Sequence, residues 1–376
     1  MTAAQAIREA AAALAATWID PPVLQPSGLY LELLGEDLRA RAYMLAGDDD
    51  DTFCLRPDMT APAVRAGLSQ QHWKAPFGVA YDGLVFRRQT EAAKETEFRQ
   101  IGVERFAPLN AIGAEDAAIT NVALDACRNA GVRPRARLGD VALFEAIVDA
   151  CGLAEIWTRR LKRAFARPGG LSAALKAAAS AAPLADNALG QALAAMPPSR
   201  AEAVVEEMLA DARIAVVGSR SIAEITARLS EKGRAEAASA PDAAVLVVIA
   251  DAVALEVAPD IAFAELHAIS KRPAVCDLAK FTIAIDRAAA RWAAIADKPD
   301  ATFSAGFGRG LAYYDGFVFE LEAQKLGARA SLGGGGRYDG LLRRIAASEG
   351  GGPKNAAMWG AAGFALRPQR LDEAAS

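Results

Sequence analysis

Two stretches of the chain, Val79 to Arg88 and Phe98 to Phe106, read as strands, whose period of two sorts their side chains onto opposite faces. Only the polar stretch Gln89 to Glu97 separates them, too little for a crossover, so they are predicted to pair antiparallel. Tyr43-Met44-Leu45 and Phe53-Cys54-Leu55 predict a second strand pair, with Asp48 to Asp51 as its solvated tip. Adjacent carboxylates on such a loop seldom converge on one metal ion. Ile119, Val122, Ala123 and Ala126 keep helical spacing behind Glu115 and Asp116, and Leu143, Phe144, Ile147, Val148 and Cys151 repeat it up to Gly152.

From Trp157 to Pro273 the chain turns Ala-rich and Arg-rich, punctuated by Pro168, Pro183, Pro197-Pro198, Pro241 and Pro259, which predicts a mainly helical insertion. Within it, Ser221 to Glu224 has capping-box spacing and opens a helix toward Leu229. Asp242 to Val257 runs without Gly or Pro and is predicted as helix for its length. Strand signals return after Phe281, with Phe317 to Leu321 and Ala328 to Leu332 as strands and Tyr314-Asp315-Gly316-Phe317 as a hairpin-turn candidate.

At 376 residues and 53% apolar, the chain can bury a large core as one domain with an insertion, or as two domains. A formal charge of -4 supplies no global field for phosphate backbones, which disfavours nucleic-acid binding. The best local source of a basic face, Arg159, Arg160, Lys162, Arg163 and Arg167, reads as a solvated helix face. Cys54, Cys127, Cys151 and Cys276 are far apart and only two histidines are present, so the expectation is reduced thiols in a cytoplasmic protein without a metal. The apolar stretch Ala10 to Ala16 is too weak for a signal peptide, and Ala243 to Ala250 falls far short of the roughly 20 residues a bilayer span needs.

Candidate chemistry begins on the strand Phe98 to Phe106, where Phe98, Gln100, Gly102, Glu104 and Phe106 share one face. If that face turns inward, Gln100 and Glu104 need partners, and a small ligand over Gly102 would supply them. If it turns outward, Ile101 and Val103 face the core instead. On the neighbouring strand Arg87 follows Tyr81, Gly83 and Val85 on one face, where a terminal arginine usually snorkels to the surface. Gly333 to Gly336 reads either as a flexible linker or as a place of close backbone approach before Arg337-Tyr338-Asp339-Gly340. No GxxxxGK[ST] occurs, and Gly306-Phe307-Gly308-Arg309-Gly310 lacks dinucleotide spacing.

Several of these segments together resemble class II aminoacyl-tRNA synthetases, and the histidyl-tRNA synthetase family specifically. Arg309-Gly310-Leu311-Ala312-Tyr313-Tyr314 is similar to the family's RGLDYY signature, and Gly335 to Leu341 to its GGRYDGL signature. Leu55-Arg56-Pro57-Asp58-Met59-Thr60, Phe86-Arg87 and Gly363-Phe364-Ala365 with Arg370 extend the likeness, which covers about Trp18 to Gly152 and Phe303 to Leu371. The resemblance implies an α+β fold, a mainly antiparallel sheet flanked by helices, formed by residues 1–156 and 274–376, with 157–273 as the insertion. It also implies a homodimer through that domain. For free histidine it implies that Arg309 holds the α-carboxylate, while Asp58, Thr60 and Gln100 accept from the ammonium. Glu104 and one of Tyr313 or Tyr314 would bracket the imidazole, with Arg87 in the same pocket and Arg87 and Arg370 as vestigial ATP contacts.

Three departures weigh against adenylate formation. Where the synthetase pattern continues as arginine, any residue, glutamate, arginine, Arg87 is followed by Arg88, Gln89 and Thr90; Ala312 replaces the signature aspartate, and Arg367 stands where glycine is expected. Six residues follow Arg370, so no anticodon-binding domain and no tRNA are expected. These departures, with Pro22-Val23-Leu24 and Asp58-Met59-Thr60, are similar to the regulatory-subunit family of ATP phosphoribosyltransferase. That likeness implies a chain without catalytic residues or cofactor, in a hetero-oligomer with a short catalytic subunit of histidine biosynthesis, and L-histidine as feedback effector. A histidine-activating ligase and a synthetase-like RNA-binding module are the alternatives.

Overall fold

A computed structural model describes the chain except for residues 29–40, 47–51, 70–72, 89–94, 168, 180–187, 213–220, 238–239, 310, 350–351 and 354. The acidic run Asp48 to Asp51, Gln89, Thr90, Gly310 and two of the insertion's prolines, Pro168 and Pro183, therefore lie outside the described residues.

The chain forms two compact units, residues 1–147, 251–271 and 278–376 in the first and 148–250 with 272–277 in the second. The division differs from the expected insertion 157–273. Residues 251–271 group with the first unit because Phe263 packs on Phe303, with ring centroids 4.8 Å apart, and Val257 bridges the same strand residue.

In chain order the first unit opens with α1 (Ala3–Ala12), β1 (Thr17–Ile19), β2 (Leu24–Pro26), β3 (Tyr43–Ala46), β4 (Thr52–Leu55), α2 (Thr60–Leu68), β5 (Phe77–Phe86), β6 (Glu97–Pro108), α3 (Ile112–Asn129), β7 (Arg135–Asp140) and α4 (Val141–Ala150). The second unit follows with α5 (Glu155–Phe165), α6 (Gly170–Ala179), α7 (Ala188–Ala194), α8 (Pro198–Asp211), α9 (Ile222–Ala237) and most of α10 (Ala243–Ala254). The chain then returns through α11 (Pro259–Ser270), α12 (Leu278–Ala293), β8 (Ala301–Phe303), β9 (Phe317–Glu322), β10 (Ser331–Arg337), α13 (Asp339–Glu349), β11 (Trp359–Leu366) and α14 (Pro368–Ala375). Among the described residues, no helix is long and apolar enough to cross a membrane.

One eight-stranded sheet, in the order β1-β5-β6-β11-β10-β9-β7-β8, organises the first unit; β2-β4-β3 form a small second sheet. Its inner pairs are antiparallel, and only β1 with β5 and β7 with β8 run parallel. The predicted partners pair antiparallel, β5 over its whole length, from Phe77 opposite Phe106 to Phe86 opposite Glu97. Both faces of β6 are buried, which resolves the two readings of this strand. Ile101 and Val103 lie on the face toward α1 and α3, because Arg105 of that face donates to Leu14 O at 3.0 Å and pairs with Glu115 of α3 at 2.8 Å. The Gln100 and Glu104 face is buried too, so neither solvent nor apolar core takes it.

Two expectations for the last third of the chain are corrected. Tyr314 to Phe317 is no hairpin turn, since β9 pairs with β7 and β10 while β8 lies beyond β7. Its backbone is held instead by Arg337, whose carbonyl accepts from Asp315 N at 3.0 Å, and by Val141, whose N–H donates to Gly316 O at 2.9 Å. Gly333 to Gly336, the linker candidate, forms the middle of β10, paired on both sides, where the predicted strand Ala328 to Leu332 only begins.

The second unit is helical among its described elements, as its composition predicted. The Ser221 capping box is formed: Ser221 N donates to Glu224 Oε2 at 3.0 Å and Glu224 N to Ser221 Oγ at 3.2 Å. Trp157 packs with Ala178 and Leu246, and Leu193 with Ala201 and Val205. The basic run on α5 is paired rather than bare. Arg159 faces Glu155 at 3.6 Å, Lys162 Asp149 at 2.8 Å and Arg163 Glu231 at 2.6 Å, while Arg160 sits 5.1 Å over the Trp157 ring.

Candidate functional site

Opposed residues of an antiparallel ladder point to the same face, so the registers place Tyr81 and Gly83 of β5 beside Gly102 and Gln100 of β6. Continuing across the sheet, the same face carries Gly363 and Ala365 of β11, Gly334 and Gly336 of β10, and Glu320 of β9. Its centre is therefore paved with glycine. Side chains from other segments lie flat on this floor: a Cβ at Gly334 would stand 3.1 Å from the Arg309 guanidinium carbon, and one at Gly336 3.0 Å from the Tyr314 ring. A Cβ at either position would also run into the β9 backbone, at the Phe319 and Phe317 carbonyls, so a larger residue would disturb both the sheet and the site.

Over Gly102 the structure places the chain's own Tyr81, whose hydroxyl would be 2.7 Å from a Cβ there. The expected ligand position directly above Gly102 is thus filled by a tyrosine. That hydroxyl donates to Glu104 Oε1 at 3.0 Å, while the Tyr338 hydroxyl donates to Oε2. Thr60, the first residue of α2, adds a third hydroxyl against the Glu104 carboxyl. Glu104 is only 1% exposed, and burial lifts its pKa to about 7, with the nearby Asp58 charge adding to the rise and the three hydroxyls opposing it.

Asp58 sits just before α2 and is 3% exposed; burial raises its pKa, and the Arg87 charge counters the rise. Its Oδ1 accepts weakly from Ala61 N at 3.5 Å and its Oδ2 has no partner at hydrogen-bond geometry, while the Thr60 N–H and the Tyr313 hydroxyl favour its charged form. Gln100 is 9% exposed and its Oε1 is likewise unpartnered. Thr60 joins the two carboxyls' surroundings, touching Glu104 on one side and Tyr313 on the other.

Arg309 adopts a left-handed φ of 56°, an unfavourable conformation for a residue with a Cβ. It donates to the Tyr314 hydroxyl at 3.2 Å. Burial works to lower its pKa, yet Tyr314 and Glu320 hold it above the ordinary value, so the guanidinium stays charged on the floor. Tyr313, Tyr314 and Tyr338 form an aromatic wall, with Tyr313 4.6 Å from Tyr314 and 5.9 Å from Tyr338 between centroids. Arg87 is no snorkelling surface residue: its Nε donates to Pro57 O at 2.7 Å, its guanidinium lies 5.2 Å over Phe98, and burial lowers its pKa.

The structure thus brings together Asp58, Thr60, Arg87, Glu104, Arg309, Tyr313 and Tyr314, with Gln100 on the same face. Arg370 stands apart, donating to Ser331 O at 3.1 Å and to Glu95 Oε2 at 3.4 Å. Beside it Arg367 lies 3.8 Å over the Phe98 ring, its pKa lowered to about 9 by burial and by the Arg370 and Arg87 charges. The residue that departs from the resembled pattern therefore covers that ring. Sequence reasoning gave no role to Tyr81, Tyr338 or Arg56. Tyr81 was signalled by standing opposite a glycine, whereas Arg56, fully buried with Nε donating to Leu84 O at 2.8 Å, shows no such signal.

Residues 2–252 and 242–371 match the family model described as Histidyl-tRNA synthetase, including the middle of the chain that the motif resemblance had left out. Fold neighbours agree with that class. A structure described as an ATP phosphoribosyltransferase regulatory subunit/histidyl-tRNA synthetase from Bacillus halodurans superposes with a TM-score of 0.63 at 19% identity, covering 100% of this chain and 78% of that one. Histidyl-tRNA synthetase from Nostoc sp. PCC 7120 gives 0.58 at 15% identity, over 99% and 70%. Curated relatives narrow the class: an ATP phosphoribosyltransferase regulatory subunit of Sinorhizobium fredii is 34% identical, covering 88% of this chain and 87% of its own length. One of Allorhizobium ampelinum is 35% identical, over 89% and 90%. The chain belongs to the ATP phosphoribosyltransferase regulatory subunits, a branch built on the histidyl-tRNA synthetase fold.

Proposed function

We propose that this chain is a non-catalytic regulatory subunit of ATP phosphoribosyltransferase that binds L-histidine on the glycine floor and reports its occupancy to a short catalytic subunit. The supporting observation is the pair of buried, unpartnered acceptors, Asp58 Oδ2 and Gln100 Oε1, on the face that also carries the charged Arg309. Leaving a buried acceptor unsatisfied costs about 1–3 kcal/mol, so two of them favour a ligand with a strong multiple donor. An α-ammonium is such a donor, with Thr60 as its third acceptor, and Arg309 suits the carboxylate of the same molecule.

Glu104 and the tyrosine wall then meet the ring, whose two nitrogens require unlike partners. Because inhibition acts on chemistry in a partner, histidine must favour one state of the complex by differential affinity. The synthetase-type alternative is disfavoured by Arg367 on the Phe98 face, and an RNA module by the paired charges of α5. Dimerisation is supported by the small sheet, whose exposed Leu24 and Leu45 lie on one face with half-buried Leu55 and Phe53.

Calorimetric titration of L-histidine into the purified chain tests the reading. Gln100→Ala and Asp58→Asn should each weaken binding about tenfold or more, consistent with losing one ammonium contact. Wild-type affinity in both folded variants would show that histidine, if bound, lies elsewhere.

A further inference from the structure

Glu104 is a buried carboxyl whose described hydrogen-bond partners are all hydroxyls, Tyr81, Tyr338 and Thr60. None carries a positive charge. The groups facing it are Tyr81 from β5, Tyr338 from the β10–α13 junction, Thr60 and Asp58 from the approach to α2, and Tyr313 and Tyr314 from the loop after Arg309. The pocket's arginines are committed elsewhere: Arg87 acts on Asp58, and Arg309 donates to Tyr314. The charged neighbour acting on Glu104 is a second carboxyl, Asp58, which adds a smaller push to that of burial and makes the anionic form worse.

A buried carboxylate in these surroundings is relieved by a proton or by a cation. The three hydroxyls take three of the four carboxylate lone-pair sites and leave one for a ligand group. We infer that the pocket takes histidine together with one proton from solvent, held between the Glu104 carboxyl and the ligand's ring. This rests on the histidine reading above. A neutral ring on protonated Glu104 and an imidazolium on ionised Glu104 contain the same number of protons, so the stoichiometry does not depend on where the proton sits.

Feedback through this site is consequently pH-linked. An unpaired Glu104 releases its proton near pH 7, and a free histidine ring does so at about 6.5. Above that range both are deprotonated before they meet, binding must draw a proton from solvent, and affinity falls by about tenfold per pH unit.

The experiment is calorimetric titration of L-histidine into the full chain between pH 7 and 8.5, in two buffers of different ionisation heat, which counts protons taken up. Wild type should take up close to one proton at pH 8, and Glu104→Gln should take up almost none with a correspondingly flatter affinity profile. The ligand's ammonium titrates alike in both, so the difference isolates Glu104. Tyr338→Phe gives an independent arm: it removes a hydroxyl that lowers the Glu104 pKa, so the onset of the affinity loss should move to higher pH. Histidine binding with equal proton uptake in wild type, Glu104→Gln and Tyr338→Phe would overturn the linkage and leave the histidine site standing. No histidine binding at any pH would overturn both.

Discussion

Replacing Glu104 by glutamine should stabilise the ligand-free chain in a strongly pH-dependent way. In the folded state burial raises the Glu104 pKa from 4.5 to about 7, so the folded chain keeps a proton that the unfolded chain releases earlier. Between those two values the unfolded state binds fewer protons, and stability falls as pH rises by up to about 1.4 kcal/mol per unit. Over that interval the loss reaches roughly 3 kcal/mol, complete above pH 7 and absent below pH 4.5. Glutamine cannot ionise and keeps an acceptor for Tyr81, so the advantage of Glu104→Gln over wild type should be under about 1 kcal/mol near pH 5 and about 3 kcal/mol at pH 8. Urea denaturation at several pH values provides the measure, read by tryptophan fluorescence. Trp73 and Trp359, with centroids 4.9 Å apart, belong to the same unit as Glu104 and report on it. A stability difference that does not change between pH 5 and pH 8 would refute the view that Glu104 is buried without a counter-charge.

The remaining predictions address the floor, the helical unit and the lost chemistry. Gly102→Ala should displace the Tyr81 hydroxyl and cost about 1–3 kcal/mol through overpacking, seen as a lowered denaturation midpoint, because the added methyl has no room between β11 and Tyr81. Ser221→Ala removes a formed capping box and should cost about 1 kcal/mol, read as faster hydrogen exchange in the first turn of α9 while histidine binding is unchanged. Histidine-dependent ATP–pyrophosphate exchange should be undetectable, since Arg367 covers the Phe98 ring; robust exchange would favour a ligase.

Part of the candidate site was legible from the period of one strand, whereas Asp58, Thr60, Arg309, Tyr313 and Tyr314, which lie off the strands, came from the motif resemblance. Gln100, Gly102 and Glu104 were placed on one face from spacing alone, and the glycines opposite them follow once the register is known. What spacing could not decide was whether that face turned inward, because β6 is central and buried on both sides, which a period of two does not distinguish. The Gly333 to Gly336 run left two readings open, linker or close approach, and the structure bears out close approach. Glycine normally weakens a strand, and the flanking carbonyls of β9 and β11 together with Arg309 and Tyr314 lying across this one show why it is required here. For Arg87 the local rule about strand ends pointed to the surface and the resemblance to the pocket; the local rule failed because it cannot see Pro57 and Phe98 arriving from elsewhere. The helical insertion was readable from composition, and its Ser221 cap from a four-residue pattern, since both are local properties. Its boundary was not, because Phe263 joins the sheet through a contact distant in sequence.

The central claim is that histidine held by Arg309 acts on a partner's chemistry. Initial rates of the phosphoribosyltransferase reaction should be measured for the short catalytic subunit mixed with wild-type chain or with Arg309→Ala, across histidine concentrations, with assembly checked by size-exclusion chromatography. Both chains should assemble with the catalytic subunit and activate it. Histidine should inhibit the wild-type complex, and the Arg309→Ala complex should need at least tenfold more, the loss expected from removing a charge-assisted carboxylate contact. An Arg309→Ala complex that assembles normally and is inhibited at the same histidine concentration as wild type would contradict it, and would place the regulatory histidine outside this pocket.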